Sequence, residues 1–278
     1  MRAVAVIVGV LVAVAGCSSG GGSDAPDESD GAPKISRYVA LGDSAVSGPG
    51  LDPMDRKAPA ECFRSLRNYP HVVAKKLGAK VDDVSCGGAT TDTVRDAVKK
   101  GRTQLDALKP DTQLVTVGIG ANDAGMASGW FKACFLPGQN DAACAGFMAG
   151  FAPDLLSQTR TRVTGILDEV KTRSPDATVL LVGYMRFAPS EGTCAVLPIS
   201  EANRAASEAF ERDLAAMLRG AAQEASVGFV DMWSAAEGHD ICAVDPWVNG
   251  VGSGDGDLLH PTSAGMKAVA SEIVRAVS

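Results

Sequence analysis

The sequence is poor in residues on which several classes of protein function depend. It has only three histidines and no Cys-x-x-Cys pair, so the usual ligand spacing of a zinc site is absent. Its 26 Lys and Arg side chains are outnumbered by 33 Asp and Glu, and no basic stripe with interleaved aromatics is present, which argues against nucleic acid as a partner. The H-E-x-x-H and G-x-x-x-x-G-K-[ST] motifs are missing, and G-x-S-x-G occurs only at residues 16–20, where it forms no elbow between a strand and a helix, which argues against three common catalytic signatures.

The sequence contains no apolar run of the roughly 20 residues that a membrane-spanning helix needs. An uncharged run over residues 3–16 follows Arg2 and has the length of a signal-peptide hydrophobic region. It leads into VAGC at residues 14–17, which resembles a bacterial lipobox. That resemblance implies removal of residues 1–16 and lipid on Cys17, which would anchor the protein on the outer face of the cell membrane. The alternative is an ordinary secretory signal that happens to precede a cysteine.

The segment after this signal lacks large apolar side chains. Residues 17–33 are rich in Gly, Ser, Asp and Pro, so they cannot contribute to a hydrophobic core. We therefore expect a flexible tether, followed by one folded domain over residues 34–278. Removal of residues 1–16 takes away only one basic side chain, Arg2, so the mature chain stays acidic, which favours solubility.

Cysteine is present in an odd number, seven. If Cys17 carries lipid, an even set remains: Cys62, Cys86, Cys134, Cys144, Cys194 and Cys242. An even set in an exported protein predicts disulfides rather than a metal site. Spacing alone does not choose among the 15 possible connectivities of six cysteines.

Short apolar runs alternate with segments of helical periodicity along the chain. We predict strands at 37–41, 80–85, 113–118, 178–184 and 228–231, and helices at 69–77, 90–107, 153–172, 200–222 and 261–277. Residues 130–151 have little periodicity and are predicted to be an insertion loop. The alternation predicts an α/β domain in three layers, with a mostly parallel five-stranded sheet between helices.

Candidate functional residues follow the predicted strands. Ser44 comes after the first strand, Gly88 after the second and Asn122 after the third. The carboxyl ends of parallel strands lie at one edge of a sheet, where such folds place their active sites. We therefore expect these three residues to meet at that edge.

A serine nucleophile needs a base within hydrogen-bonding reach. Of the three histidines, His71 lies within a predicted amphipathic helix and His239 in a polar loop, which leaves His260. Asp257 precedes His260 by three residues, a spacing that allows its carboxylate to accept the Nδ1 proton and leaves Nε2 facing the serine. Asp257 could also simply cap the last helix, and Asp255 is predicted to be a solvated turn residue.

Four motif blocks occur in a fixed order: Gly42-Asp43-Ser44, Gly88, Gly120-x-Asn122-Asp123 and Asp257-x-x-His260-Pro261. In these blocks the sequence resembles the SGNH hydrolases, the GDSL family of esterases and lipases. Ala45 stands where the family name has leucine, a position without a catalytic role. The resemblance implies a flavodoxin-like three-layer fold and hydrolysis of carboxylic esters without a metal or another cofactor.

The resemblance also assigns roles to individual residues. It implies a Ser44–His260–Asp257 triad and an oxyanion hole formed by the backbone N–H groups of Ser44 and Gly88 and the side-chain amide of Asn122. It further implies the sequential disulfides Cys62–Cys86, Cys134–Cys144 and Cys194–Cys242, as in secreted actinobacterial members.

The substrate is less defined than the chemistry. Phe131, Phe135 and Phe147 could line an apolar acyl site, although aromatic residues in a closed loop more often pack within it. An ester of a lipid, a short-chain ester or an acylated glycan is the expected partner, and we expect a monomer. The alternatives are an acyltransferase or deacetylase acting on glycans or lipids of the cell envelope, or a non-catalytic binding lipoprotein.

Overall fold

The computed structural model describes residues 35–96, 102–135 and 141–278. The predicted signal segment, tether and lipidated Cys17 lie outside the described residues. The described part contains a parallel sheet in the order β2-β1-β3-β4-β5. Its strands are β1 (Arg37–Gly42), β2 (Lys80–Asp83), β3 (Leu114–Gly118), β4 (Thr178–Val182) and β5 (Gly228–Val230). The predicted α/β fold with a parallel five-stranded sheet is confirmed.

Helices cover both faces of this sheet. They are α1 (Ser44–Ser47), α2 (Tyr69–Leu77), α3 (Met126–Cys134), α4 (Asp141–Gly150), α5 (Ala152–Arg173), α6 (Glu201–Glu224), α7 (Met232–Ala235) and α8 (Ser263–Val277). Side chains of β1 alternate between two cores, because successive residues of a strand point to opposite faces. Val39 and Leu41 pack in the core that includes α5 and α6, whereas Tyr38 and Ala40 pack in the core that includes α2 and α8.

The predicted helix over 90–107 is wrong in its described parts. Residues 90–96 form turns and Gln104–Ala107 is a short 3₁₀ helix. Tertiary hydrogen bonds anchor this segment: the buried Asp123 carboxylate accepts bonds from the Thr91 N–H and hydroxyl. The side-chain amide of Gln104 bonds both the N–H and the carbonyl of Gly42. Side-chain partners elsewhere in the fold therefore override the helical pattern.

The predicted insertion loop at 130–151 is also wrong, because it contains the end of α3 and all of α4. The structure joins these two helices through the Cys134–Cys144 disulfide. Helix α4 is built largely of Ala, Gly and Cys, so its buried and exposed faces differ little in hydropathy and leave a weak periodic signal.

The other two disulfides are Cys62–Cys86 and Cys194–Cys242. All three pairs are those that the family resemblance implies. Within the described residues, no helix combines the length and hydropathy needed to cross a membrane.

Candidate active site

Ser44 lies just after the carboxyl end of β1, an interior strand of the sheet. Gly42 ends β1 at φ 153°, and a Cβ there would lie only 2.3 Å from Val46 Cγ2 and 2.4 Å from the Gly118 carbonyl oxygen. A side chain does not fit at this position, so glycine is required by the close approach. The Asp43 carboxylate caps α1 by accepting the Ala45 N–H at 2.9 Å. Ser44 therefore starts a short, capped helix at the sheet edge.

The structure brings three of the predicted site residues together. Ser44, Asn122 and His260 line one cavity of about 390 Å³. Gly88 does not line this cavity, but it precedes Ala89, whose carbonyl accepts a hydrogen bond from the Asn122 amide at 3.1 Å. Gly88 has φ 73° and open space around the position of a Cβ, which leaves its backbone approachable.

The orientation of His260 differs from the sequence-based expectation. Its Nδ1 lies 2.8 Å from the backbone carbonyl oxygen of Leu258, whereas the sequence predicts the Asp257 carboxylate as its acceptor. Between them, Leu259 adopts φ 59° and donates its N–H to the Asn249 carbonyl. This left-handed residue turns the chain so that the imidazole folds back onto the Leu258 carbonyl. The expectation that Asp257 orients His260 through a hydrogen bond is therefore corrected.

Asp257 still influences His260 through its charge. Burial lowers the pKa of His260 below its usual 6.5, whereas the Leu258 carbonyl and then the Asp257 charge act in the opposite direction. The neighbouring Asp255 is not a simple solvated residue, because its carboxylate accepts the Ser263 N–H at 2.9 Å at the start of α8.

Sequence reasoning missed a buried network that joins the first and third motif blocks. The Tyr184 hydroxyl donates to Asp43 Oδ2 at 2.5 Å and accepts the Ala121 N–H at 3.0 Å. It thereby ties the residue before Ser44 to the residue before Asn122. Burial raises the pKa of Asp43 to about 7, and the Tyr184 hydrogen bond partly offsets this rise. The sequence signal for this network is the phenol of Tyr184 at the carboxyl end of the predicted strand 178–184.

We predict that Tyr184→Phe lowers kcat by about tenfold with little change in KM, because a buried hydrogen bond to a charged group is lost. The ring that lines the cavity is retained, while the Ala121 N–H and the Asp43 carboxylate lose a partner. Steady-state kinetics on one activated ester measure the split. The control is Tyr38→Phe, which removes a buried hydroxyl bonded to Thr116 at 2.7 Å within the sheet and should leave kcat unchanged. Equal kinetic losses in both variants would contradict the positioning role of Tyr184.

The cavity wall is predominantly apolar and aromatic. Trp130, Phe131, Phe187 and Phe210 contribute to it. Of the three predicted acyl-site residues, Phe131 lines the cavity, whereas Phe135 and Phe147 do not. Phe135 packs edge-on against Trp130 at a centroid distance of 4.9 Å, and Phe147 packs against Phe210 at 6.1 Å. These two rings therefore pack against side chains that line the cavity.

Besides Asp43, the acidic residue Glu211 interrupts the apolar wall. Glu211 is 4% exposed, and its carboxylate accepts the N–H groups of Phe187 and Ala188 at 2.9 and 3.1 Å. Burial raises the pKa of Glu211 to about 8, although these two hydrogen bonds act in the opposite direction. Glu211 thus fastens the segment after β4 to α6 and fixes the backbone from which the Phe187 side chain projects.

Comparisons with known proteins agree with this geometry. The GDSL-like lipase/acylhydrolase family matches residues 40–268. A lipase of Streptomyces rimosus is 33% identical over 237 residues, covering 84% of each chain. Lipase 2 of Streptomyces coelicolor is 33% identical over 245 residues, covering 84% of this chain and 83% of its own.

Solved structures show the same relationship. Phospholipase A1 from Streptomyces albidoflavus superposes with a TM-score of 0.77 at 30% identity, covering 88% of this chain and all of its own. The extracellular lipase from Streptomyces rimosus also superposes with a TM-score of 0.77 at 30% identity, over 87% of this chain. The matches extend over the sheet, the helices and every motif block, and the chain therefore belongs to the GDSL-like lipase/acylhydrolase family.

Proposed function

We propose that this protein hydrolyses carboxylic esters through an acyl-enzyme on Ser44. The observation that carries the proposal is the meeting of Ser44, Asn122 and His260 on one largely apolar cavity. His260 Nδ1 is engaged by the Leu258 carbonyl, which fixes the tautomer that carries its proton on Nδ1. Nε2 is then free to act as the base. An esterase or lipase activity accords with the family to which the chain belongs.

The proposed reaction has two steps. Ser44 Oγ attacks the ester carbonyl carbon while His260 Nε2 takes the hydroxyl proton, and this proton is then transferred to the departing alkoxide. Water, deprotonated by the same nitrogen, attacks the acyl carbon, and His260 returns that proton to Ser44 Oγ as the acyl–oxygen bond breaks and the acid is released. In both steps negative charge develops on the carbonyl oxygen, where N–H groups of Ser44, Gly88 and the Asn122 side chain would stabilise it.

The apolar lining of the cavity favours an acyl chain over a sugar. Its wall is formed mainly by aromatic and aliphatic side chains, which bind hydrocarbon through burial of apolar surface. Relatives of known activity include lipases and a phospholipase A1. We therefore propose a lipid or alkyl ester as the substrate, and transfer of the acyl group to another alcohol is the alternative outcome of the same intermediate.

A fluorophosphonate probe tests the proposed mechanism. It should form one covalent adduct, which peptide mass spectrometry should locate on Ser44, and it should abolish hydrolysis of p-nitrophenyl esters. Hydrolysis that persists after complete labelling of Ser44 would refute the mechanism. A product assay with and without an added glycan acceptor separates hydrolysis from acyl transfer.

We also propose that the protein acts outside the cytoplasm, held at the membrane by lipid on Cys17. The uncharged run and the VAGC sequence at residues 14–17 support the anchor, and the extracellular location named for the Streptomyces rimosus lipase supports export alone. Cys17→Ser should move the protein from the membrane fraction to the medium. Retention at the wild-type level would contradict the anchor.

We predict that Asp257→Asn changes kcat by less than about threefold, because Asp257 acts on His260 only through a partly screened charge. A carboxylate that held the imidazole through a hydrogen bond would instead cost about 10⁴ in kcat, as in a serine protease. Asp255→Asn is the matched variant in the same loop and should affect thermal stability more than kcat, since Asp255 bonds the first turn of α8. A hundredfold loss of kcat in Asp257→Asn would instead indicate that Asp257 is a member of the catalytic triad.

The pH dependence should follow His260. Because only the neutral imidazole acts as a base and burial lowers the pKa of His260, the imidazole stays neutral to a lower pH than an exposed histidine does. We therefore predict that kcat/KM falls on the acid side with a midpoint below the usual 6.5. A pH profile on one uncharged ester checks this. A midpoint near 7 would point to Asp43 as the controlling group instead.

A further inference from the structure

A single aromatic side chain separates two apolar spaces in the structure. Phe210 on α6 lines the catalytic cavity of about 390 Å³ and also a second groove of about 640 Å³. Among the described residues, it alone contributes to both spaces. The catalytic cavity and the groove therefore adjoin at the Phe210 ring.

The groove runs between α5 and α6. Helix α6 contributes Ala206, Ala209, Ala216 and Met217, whose spacing places them on one helical face beside Phe210. The opposite wall contains Met148 of α4 and Leu156 of α5. Two charged side chains also line the groove, Arg160 of α5 and Asp213 of α6. Both are at least half-exposed or nearly so, and Arg160 is paired with Glu224, so the charged groups of the groove lie towards solvent.

Neighbouring rings hold Phe210 in place. The Phe210 side chain is only 4% exposed. Its centroid lies 5.3 Å from that of Trp130, which lines the catalytic cavity, and 6.1 Å from that of Phe147 on α4. Packing on two sides leaves the ring little freedom to rotate away, so it acts as a fixed partition.

We propose that Phe210 sets the length of the acyl chain that the enzyme accepts, by ending the acyl site at its ring. The space beyond the ring suits the methyl end of a fatty acyl chain, because its lining is mainly apolar and it adjoins the catalytic cavity at Phe210. This inference rests on the proposed function, since it concerns the acyl group bound at the Ser44 site. On this proposal the volume of one side chain disfavours long acyl chains in the wild type, so the lipid or alkyl esters that it hydrolyses best carry the shorter chains.

The test compares kcat/KM for p-nitrophenyl butyrate and p-nitrophenyl palmitate. Phe210→Ala should raise the palmitate-to-butyrate ratio by at least about tenfold, since each methylene accommodated in an apolar pocket is worth about that factor. Phe210→Leu, which keeps more of the packing, should raise it less. The ratio does not depend on the fraction of folded enzyme, because both esters report on the same active molecules.

Two further variants identify where the chain goes. Phe131→Ala enlarges the catalytic cavity without opening the groove, so it should not reproduce the gain. Ala216→Trp partly fills the groove from an exposed position of α6, and in the Phe210→Ala background it should remove the gain on palmitate while butyrate hydrolysis persists.

The outcomes separate this inference from the proposed function. An unchanged ratio in both Phe210 variants would overturn the inference, as would an equal gain in Phe131→Ala or a gain that survives Ala216→Trp. Failure of the wild type to hydrolyse either ester would instead overturn the proposed ester hydrolysis.

Discussion

Ser44→Ala is expected to lower kcat by on the order of 10⁶, the loss seen when the nucleophile of a serine hydrolase is removed. In the proposed mechanism the Ser44 hydroxyl forms the acyl-enzyme, and among the described residues that line the cavity Ser44 is the hydroxyl side chain directly preceded by the tight turn of Gly42 and Asp43. Active-site labelling by a fluorophosphonate should disappear with the activity. Steady-state kinetics and peptide mass spectrometry measure the two effects.

The control for this variant lies in the same helix. Ser47 is fully buried in α1, and its hydroxyl has no hydrogen-bond partner, so Ser47→Ala removes a comparable atom without removing the nucleophile. It should retain nearly full activity and labelling. Substantial residual hydrolysis by Ser44→Ala, or an equal loss in Ser47→Ala, would show that Ser44 is not the attacking residue.

Asn122→Ala is expected to lower kcat by about 10²–10³ with little change in KM, because one oxyanion donor is lost. One N–H of the amide is already bonded to the Ala89 carbonyl, which fixes the group and leaves its second N–H for the developing negative charge. Separate determination of kcat and KM on one short-chain ester distinguishes transition-state stabilisation from substrate binding.

Loss of the bond to Ala89 could by itself loosen the loop, so a second variant is needed. Thr91→Val removes the hydroxyl that bonds Asp123 and loosens the same pair of loops without removing an oxyanion donor. Its kcat should fall by less than about tenfold. A larger loss than that of Asn122→Ala, or a change in Asn122→Ala confined to KM, would contradict the assigned role.

Some features of this site are predictable from the sequence, because they depend on the type of residue and on its position next to a predicted strand or helix. Ser44, Asn122 and His260 follow apolar runs or precede a helix, and the parallel sheet then brings them to one edge. The hydrogen-bond acceptor for His260 was not predictable, because every residue has a backbone carbonyl and the sequence does not reveal φ 59° at Leu259. The sequence instead predicts Asp257 as the acceptor, because its carboxylate lies three residues before His260.

Long-range partners explain the other errors. The segment after residue 90 has a helical pattern, but its polar side chains find partners on β1 and on the loop after β3. The role of Tyr184 depends on two groups that lie 141 and 63 residues away along the chain. Local pattern does not encode such pairings, whereas tertiary packing decides them.

The carbonyl of Leu258 has a consequence for how this enzyme can vary. A main-chain oxygen carries no titratable proton and survives every substitution at its own position, provided that the backbone keeps its path. If the proposed mechanism holds, a mutational scan for loss of function should therefore recover the proposed nucleophile Ser44 and base His260, but no acidic residue bonded to the imidazole. Substitutions at position 257 should leave activity largely intact. Substitutions at position 259 should reduce it, because a β-branched side chain or proline there would disfavour the left-handed turn.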